Sequence, residues 1–121
     1  MSKPKILLTN DDGINAPGIY ALANELSDIA DLSIVAPISE MSAMGHAITI
    51  SDPLKVTEIF KDHEHYGWGI GGTPADCVKL AINGNLVPRP DMVISGVNQG
   101  ANVGVDIIYS GTVSAAYEGT L

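Results

Sequence analysis

The sequence predicts an α/β domain: a Rossmann-like, mostly parallel sheet with helices on both faces. Three observations carry this. The short apolar runs KILLT (5–9), LSIVA (32–36) and PDMVISG (90–96) each end at turn-forming residues, as buried strands do. Segments with apolar residues at helical spacing lie between them. The runs are apolar along their length rather than alternating, which marks strands covered on both sides.

Each element has its own signal. Lys5 to Thr9 is a buried strand with the turn NDDG behind it. Pro17 and Gly18 precede a helix whose inner face is Ile19, Leu22, Ala23, Leu26 and Ile29. Leu32 to Ala36 is a second strand, closed by Pro37, and a loop runs on to Gly45. His46 to Val56 is rich in β-branched residues and reads as extended, broken at Asp52-Pro53. KDHEH is then a hairpin tip and YGWGIGG the returning strand. Thr73 opens a helix as N-cap, with Pro74 at the first helical position and Asp76 as capping-box acid. Val78, Ala81 and Ile82 continue its buried face. PDMVISG is the next buried strand, GVNQGANVGVDIIYSG a long glycine-rich loop, and Thr112 starts a last helix.

The totals bound the function. A length of 121 residues fits one domain, and 45% apolar with 17% charged residues is a globular composition. Six Lys and Arg against fourteen Asp and Glu give a net charge of −8. Such a chain is a poor general binder of nucleic acid or of an anionic membrane. An anionic ligand therefore needs a cation and backbone N–H groups to hold it. The one cysteine, Cys77, allows no internal disulfide and fits a reducing compartment. The first residues are too short an apolar run for a signal peptide, and no stretch reaches the ~20 apolar residues of a membrane span. The expected location is the cytoplasm. The chain stops inside the helix that Thr112 starts, which predicts that 1–121 is one α/β domain within a longer protein.

Parallel strands share a direction, so NDDG, PISEMSAMG, GTPAD and GVNQG should lie along one edge, where ligands of such sheets bind. Asp11 and Asp12 stand side by side there. Adjacent carboxylates repel, and a hard cation such as Mg²⁺ or Mn²⁺ removes the conflict. Read alone, Asn10-Asp11-Asp12-Gly13 also fits a plain turn with an Asx cap. Ser39 and Ser42 offer hydroxyls, and Asn98 and Asn102 offer carbonyl ligands or amide donors, though loop serines and asparagines beside glycine are ordinary turn residues too. Ser110, Gly111 and Thr112 precede a helix N-terminus, a ready anion site that is equally an ordinary threonine cap. His63 and His65 fall in the hairpin tip, His46 either lines the site or starts a strand, and Cys77 reads as packing. No Walker A loop, Ser-His-Asp order or H-E-x-x-H pattern is present, and the glycines of GVNQGANVG do not spell G-x-G-x-x-G after their strand.

KILLTNDDGINAPGI, GTPADCVKLAI and PDMVISGVNQGANVGVDIIYSGTVSAAYEGT, which together span nearly the whole chain in order, strongly resemble the SurE family of stationary-phase survival proteins, metal-dependent 5′/3′-nucleotidases. The resemblance implies one divalent metal ion at the carboxyl edge, held by Asp11, Asp12, Ser42 and Asn98, with Asn102, Ser110, Gly111 and Thr112 binding phosphate. It implies nucleoside monophosphates as substrates, polyphosphate for some members, a homo-oligomer, dimer or tetramer, for the full-length protein, and a family length about twice this one, so that 1–121 is the N-terminal half of a longer protein. The aspartates become the catalytic pair, and which of them acts as general base stays open. The loop APISEMSAMG departs from the family's usual APDRNRSG: it keeps Ser42 but lacks the arginines and has Ala43 where glycine is common. Two other readings share these residues. A non-catalytic phosphate or nucleotide binder would use the same cradle. A signalling receiver domain would use the acidic pair with Asp52 as phosphoacceptor, but it needs a lysine after its last strand, and none follows Lys79.

Overall fold

The computed structural model describes residues 3–38, 55–98 and 104–109. They form β1 (Lys5–Thr9), α1 (Pro17–Leu26), β2 (Asp31–Pro37), β3 (Val56–Lys61), β4 (Glu64–Ile70), α2 (Pro74–Asn83), β5 (Met92–Asn98) and β6 (Gly104–Tyr109). The six strands make one sheet in the order β3-β4-β2-β1-β5-β6. The four central strands are mutually parallel, and β3 and β6 pair antiparallel at the two edges. This is the mostly parallel α/β sheet that the apolar runs predict.

Strand alternation divides the core into two layers. Ile6, Leu8, Ile34, Ala36 and Ile94 point to one face, where Ile19 and Ala23 of α1 cover them. Leu7, Val35, Ile70 and Val93 point to the other, where Cys77, Val78 and Ala81 of α2 pack. Helices thus lie on both faces, as expected. Leu7 and Leu8 are fully buried on opposite sides, each contributing about 1.5–3 kcal/mol of apolar transfer.

The helix ends follow their chemistry. α2 begins with a complete capping box: Thr73 Oγ1 accepts from Asp76 N–H at 3.1 Å, and Asp76 Oδ2 accepts from Thr73 N–H at 2.9 Å. Pro17 stands at the start of α1, which has no side-chain cap. α1 stops at Leu26, so Ile29 lies beyond the helix and is 62% exposed instead of joining its buried face. Backbone turns from Leu26 O to the N–H groups of Ile29 and Ala30 end the helix there.

The hairpin falls where KDHEH predicts, with Asp62 (φ 53°) and His63 (φ 67°) forming its turn. The stretch after PDMVISG needs correction. β5 runs on to Asn98, and Gly104–Tyr109 is a strand, not part of a loop. VDIIY carries the β-branched and aromatic residues of a strand, and the surrounding glycines obscured that signal. The expected extended segment from His46, the break at Asp52-Pro53 and the helix after Thr112 lie outside the described residues, apart from the strand start at Val56.

Burial pushes the Cys77 thiol from its ordinary value of 9.0 up to about 12, with the nearby Asp76 charge adding to the rise. The Thr9 hydroxyl alongside tempers it. Cys77 is therefore a protonated packing residue. Burial, then Tyr20, likewise raises the Tyr66 phenol from 10.0 to about 12.

Two outcomes follow from these contacts. Thr73→Ala lowers stability by about 1 kcal/mol, read as a lower urea midpoint with an unchanged slope. The thiol ionises in the unfolded chain before it does in the native one, so its contribution is full below pH 9.0 and is lost as the pH rises towards about 12. Cys77→Ala makes the alkaline limb of a stability–pH curve shallower. A limb identical to wild type would contradict this.

Candidate functional site

The site is built outward from the end of β1. Thr9 and Asn10 are buried. A buried carboxamide must be hydrogen-bonded to be tolerated, and Asn10 spends both arms on one residue. Its Nδ2 donates to Gly13 O at 2.8 Å, and its Oδ1 accepts from Gly13 N–H at 3.1 Å. Gly13 has φ 108°, which favours glycine. Between these anchors the chain reverses, leaving Asp11 exposed and Asp12 half-buried.

The turn is tied to the strand on one side. Ile14 N–H donates to Pro37 O, the last residue of β2, at 2.7 Å, and the Ile14 side chain is fully buried. On the other side α1 meets the end of β5. A Cβ added at Gly18 would stand 2.5 Å from Val97 O, closer than real contacts allow. The Gly96–Val97 peptide there is cis.

Strand order and register then fix where Asn98 stands. β1 lies between β2 and β5, and Thr9 pairs with Ser95. Asp11 and Asp12 follow Thr9 by two and three residues, and Asn98 follows Ser95 by three. The chain leaves β1 towards β2 over one face, while α2 crosses the other face to reach β5 on the far side of β1. The β1–β5 boundary is a topological switch point, where open α/β sheets bind ligands. α1 and α2 both start at this carboxyl edge, so their positive ends favour anions there.

The structure thus sets Asp11, Asp12 and the backbone of Asn98 at the carboxyl ends of neighbouring strands. Ser39, Ser42, His46, Asn102, Ser110, Gly111 and Thr112 lie outside the described residues. His63 and His65 are at the opposite, amino end of the strands, where His65 Nδ1 meets Glu58 Oε2 at 2.7 Å. A concavity of about 490 Å³ opens at that same far end, lined by Lys5, Asp31, His65, Trp68, Val87 and Pro88 among others. It holds neither of the paired aspartates.

Among the described residues no group of three or more His, Cys, Asp and Glu could hold a metal. The expected donor set has only two such residues, with a serine and an asparagine supplying neutral oxygens. Carboxylate, hydroxyl and amide oxygens are hard ligands, which suits Mg²⁺ or Mn²⁺. The clamped turn that holds both aspartates at the switch point fits such an ion. The glycine behind the aspartate pair is legible in the sequence as the residue that lets the chain turn away, whereas nothing there singles out Gly18, or Asn10 beyond an Asx cap. Asn at the head of a turn before glycine was the available signal for Asn10. The contacts of Gly18 with Val97 and of Ile14 with Pro37 join residues distant in sequence and had none.

These features define a doubly wound α/β protein that presents paired carboxylates at its switch point. The model of the family described as Survival protein SurE matches residues 6–121. The 5′-nucleotidase SurE of Solidesulfovibrio magneticus is 60% identical over 118 residues, covering 97% of this chain and 46% of that protein. The 5′-nucleotidase SurE of Heliobacterium modesticaldum is 55% identical over 97% of this chain and 43% of its own. The crystal structure of the SurE protein from Aquifex aeolicus superposes with a TM-score of 0.65 at 44% identity, covering 96% of this chain and 46% of that one. The chain belongs to the SurE family, and it spans a little under half the length of these relatives. Among the described residues no helix is long and apolar enough to cross a membrane.

Gly18→Ala tests the packing of α1 against β5. The new methyl meets backbone, which cannot rotate away, so stability falls by about 1–3 kcal/mol in urea unfolding. A loss below about 0.5 kcal/mol, the size of an ordinary surface change, would contradict the close approach.

Proposed function

We propose that this chain carries the catalytic edge of a divalent-metal-dependent phosphomonoester hydrolase acting on nucleoside 5′- and 3′-monophosphates. One observation carries the reading. The pairing of Thr9 with Ser95 sets the paired aspartates and Asn98 on neighbouring strand ends at the switch point. The likeness to proteins named 5′-nucleotidase SurE supports the substrate class.

In this reading Asp11, Asp12, Ser42 and Asn98 hold one Mg²⁺ or Mn²⁺ ion. When bound, the ion supplies Lewis acidity toward a phosphoryl oxygen and lowers the pKa of water. The chain's own residues do the rest. The Asn102 amide and the Ser110 and Thr112 hydroxyls donate to phosphate oxygens, where charge grows as the ester bond breaks. Gly111 lets the backbone come close to the same oxygens. One of the two aspartates takes the proton of the attacking water. The positive ends of α1 and α2 offset part of the chain's net charge of −8 as a phosphate dianion approaches. A cytoplasmic location and a dimer or tetramer of the whole protein belong to the same reading, on the family likeness.

The test is phosphate release from nucleoside monophosphates by the full-length protein. Activity requires Mg²⁺ or Mn²⁺ and is abolished by a chelator. Asp12→Asn lowers kcat/KM by at least about 100-fold, within the range expected for loss of a group acting in the transition state. Undiminished hydrolysis by that variant would overturn its assigned role. Nucleotide binding with no phosphate released would overturn the enzyme reading.

A further inference from the structure

We propose that Asn10 is a positioning residue for the aspartate pair, acting as a neutral clamp that holds both carboxylates at the switch point. The inference rests on the metal reading of Asp11 and Asp12 and adds a residue that touches neither ion nor substrate.

The clamp has a specific form. The Asn10 side chain is fully buried, and both of its hydrogen bonds go to the backbone of Gly13, one as donor and one as acceptor. They close a ring around Asp11 and Asp12. Gly13 O also accepts from Ala16 N–H at 3.1 Å, and the next residue, Ile14, is pinned to Pro37 at the end of β2. The pair is therefore anchored at both ends of its turn. Adjacent carboxylates repel, and an unrestrained turn would relieve this by letting them spread. A closed ring resists that spreading before any cation arrives, which is what preorganisation of a binding site requires.

The chemistry also selects asparagine. The position needs a donor and an acceptor side by side, at a fixed reach, with no charge. Aspartate has the same shape but only accepts, so one of its oxygens would oppose Gly13 O. Serine has too short a reach to hold both backbone groups. Because Oδ1 faces an N–H and Nδ2 faces a C=O, the orientation of the amide is set by its partners.

The discriminating variant is Asn10→Asp in the full-length protein. It places a third negative charge beside the pair. If charge governed cation affinity, Mn²⁺ would bind more tightly. The clamp predicts the opposite: Mn²⁺ affinity, measured by calorimetry on folded protein, falls by about 10-fold or more, the size typical of residues that orient metal ligands. Amide hydrogen exchange at Gly13 speeds up in the metal-free variant. Asn10→Ser, which adds no charge, weakens Mn²⁺ binding in the same direction and serves if the aspartate variant fails to fold. A purely structural role would lower the unfolding midpoint and leave the affinity of the folded protein alone. Wild-type affinity in a folded variant overturns the clamp while the metal reading stands. A wild-type protein that binds no Mn²⁺ or Mg²⁺ overturns the metal reading, and the clamp falls with it.

Discussion

Parallel pairing of β1 with both β2 and β5 is the constraint on which the carboxyl edge depends. With strands on either side, β1 has no free edge, and its residues alternate between two covered faces. Leu7 and Leu8, adjacent and both fully buried, make the register strict. A slip of one residue would turn each into the wrong layer. That strictness carries forward past the last paired residue. Because Thr9 is fixed against Ser95, the turn after β1 and the end of β5 have little freedom to drift apart. The amino edge is held as firmly: Asp91 N–H donates to Lys5 O at 2.7 Å, and Asp91 Oδ2 accepts from Lys5 N–H at 2.9 Å.

The edge built on this frame is electrostatically awkward. Two carboxylates sit together in a chain whose net charge, these two included, is −8. The fold answers with dipoles. Both helices begin at this end, and α2 adds a capping box there while α1 starts without a side-chain cap. Buried polar groups cluster here as well. Both polar side-chain atoms of Asn10 are hydrogen-bonded, but among the described residues Thr9 Oγ1 has no partner of good geometry beyond its proximity to the Cys77 thiol. The end of β1 thus trades some polar satisfaction for a turn that faces the crevice.

How much of this was legible in the sequence depends on the range of the contact. β1 was readable to the residue, because KILLT is apolar throughout and NDDG ends it. α2 was readable because Thr73, Pro74 and Asp76 announce its start within four residues. The hairpin was readable from KDHEH. The strand at Gly104–Tyr109 was hidden because its glycine-rich flanks resemble a loop. Ile29 continued the helical spacing past Leu26, yet spacing does not say where backbone turns end a helix. Of the proposed site, the aspartate pair stood out by its charge conflict after an apolar strand, while Asn98 was singled out only through the family resemblance. The contact of Gly18 with Val97 was hidden, since it joins residues 79 positions apart and depends on how α1 packs across the sheet.

The Asp62–His63 turn gives the domain a second, chemically quiet pole. It lies at the opposite end of the strands from the aspartate pair, and both residues are exposed. Its backbone already adopts positive φ, so glycine and asparagine suit it. Loop tips of this kind tolerate added chain. Lengthening this hairpin therefore enlarges the molecule along an axis that leads away from its chemistry, and the turn is a natural place to graft a tag, a fluorophore or another domain.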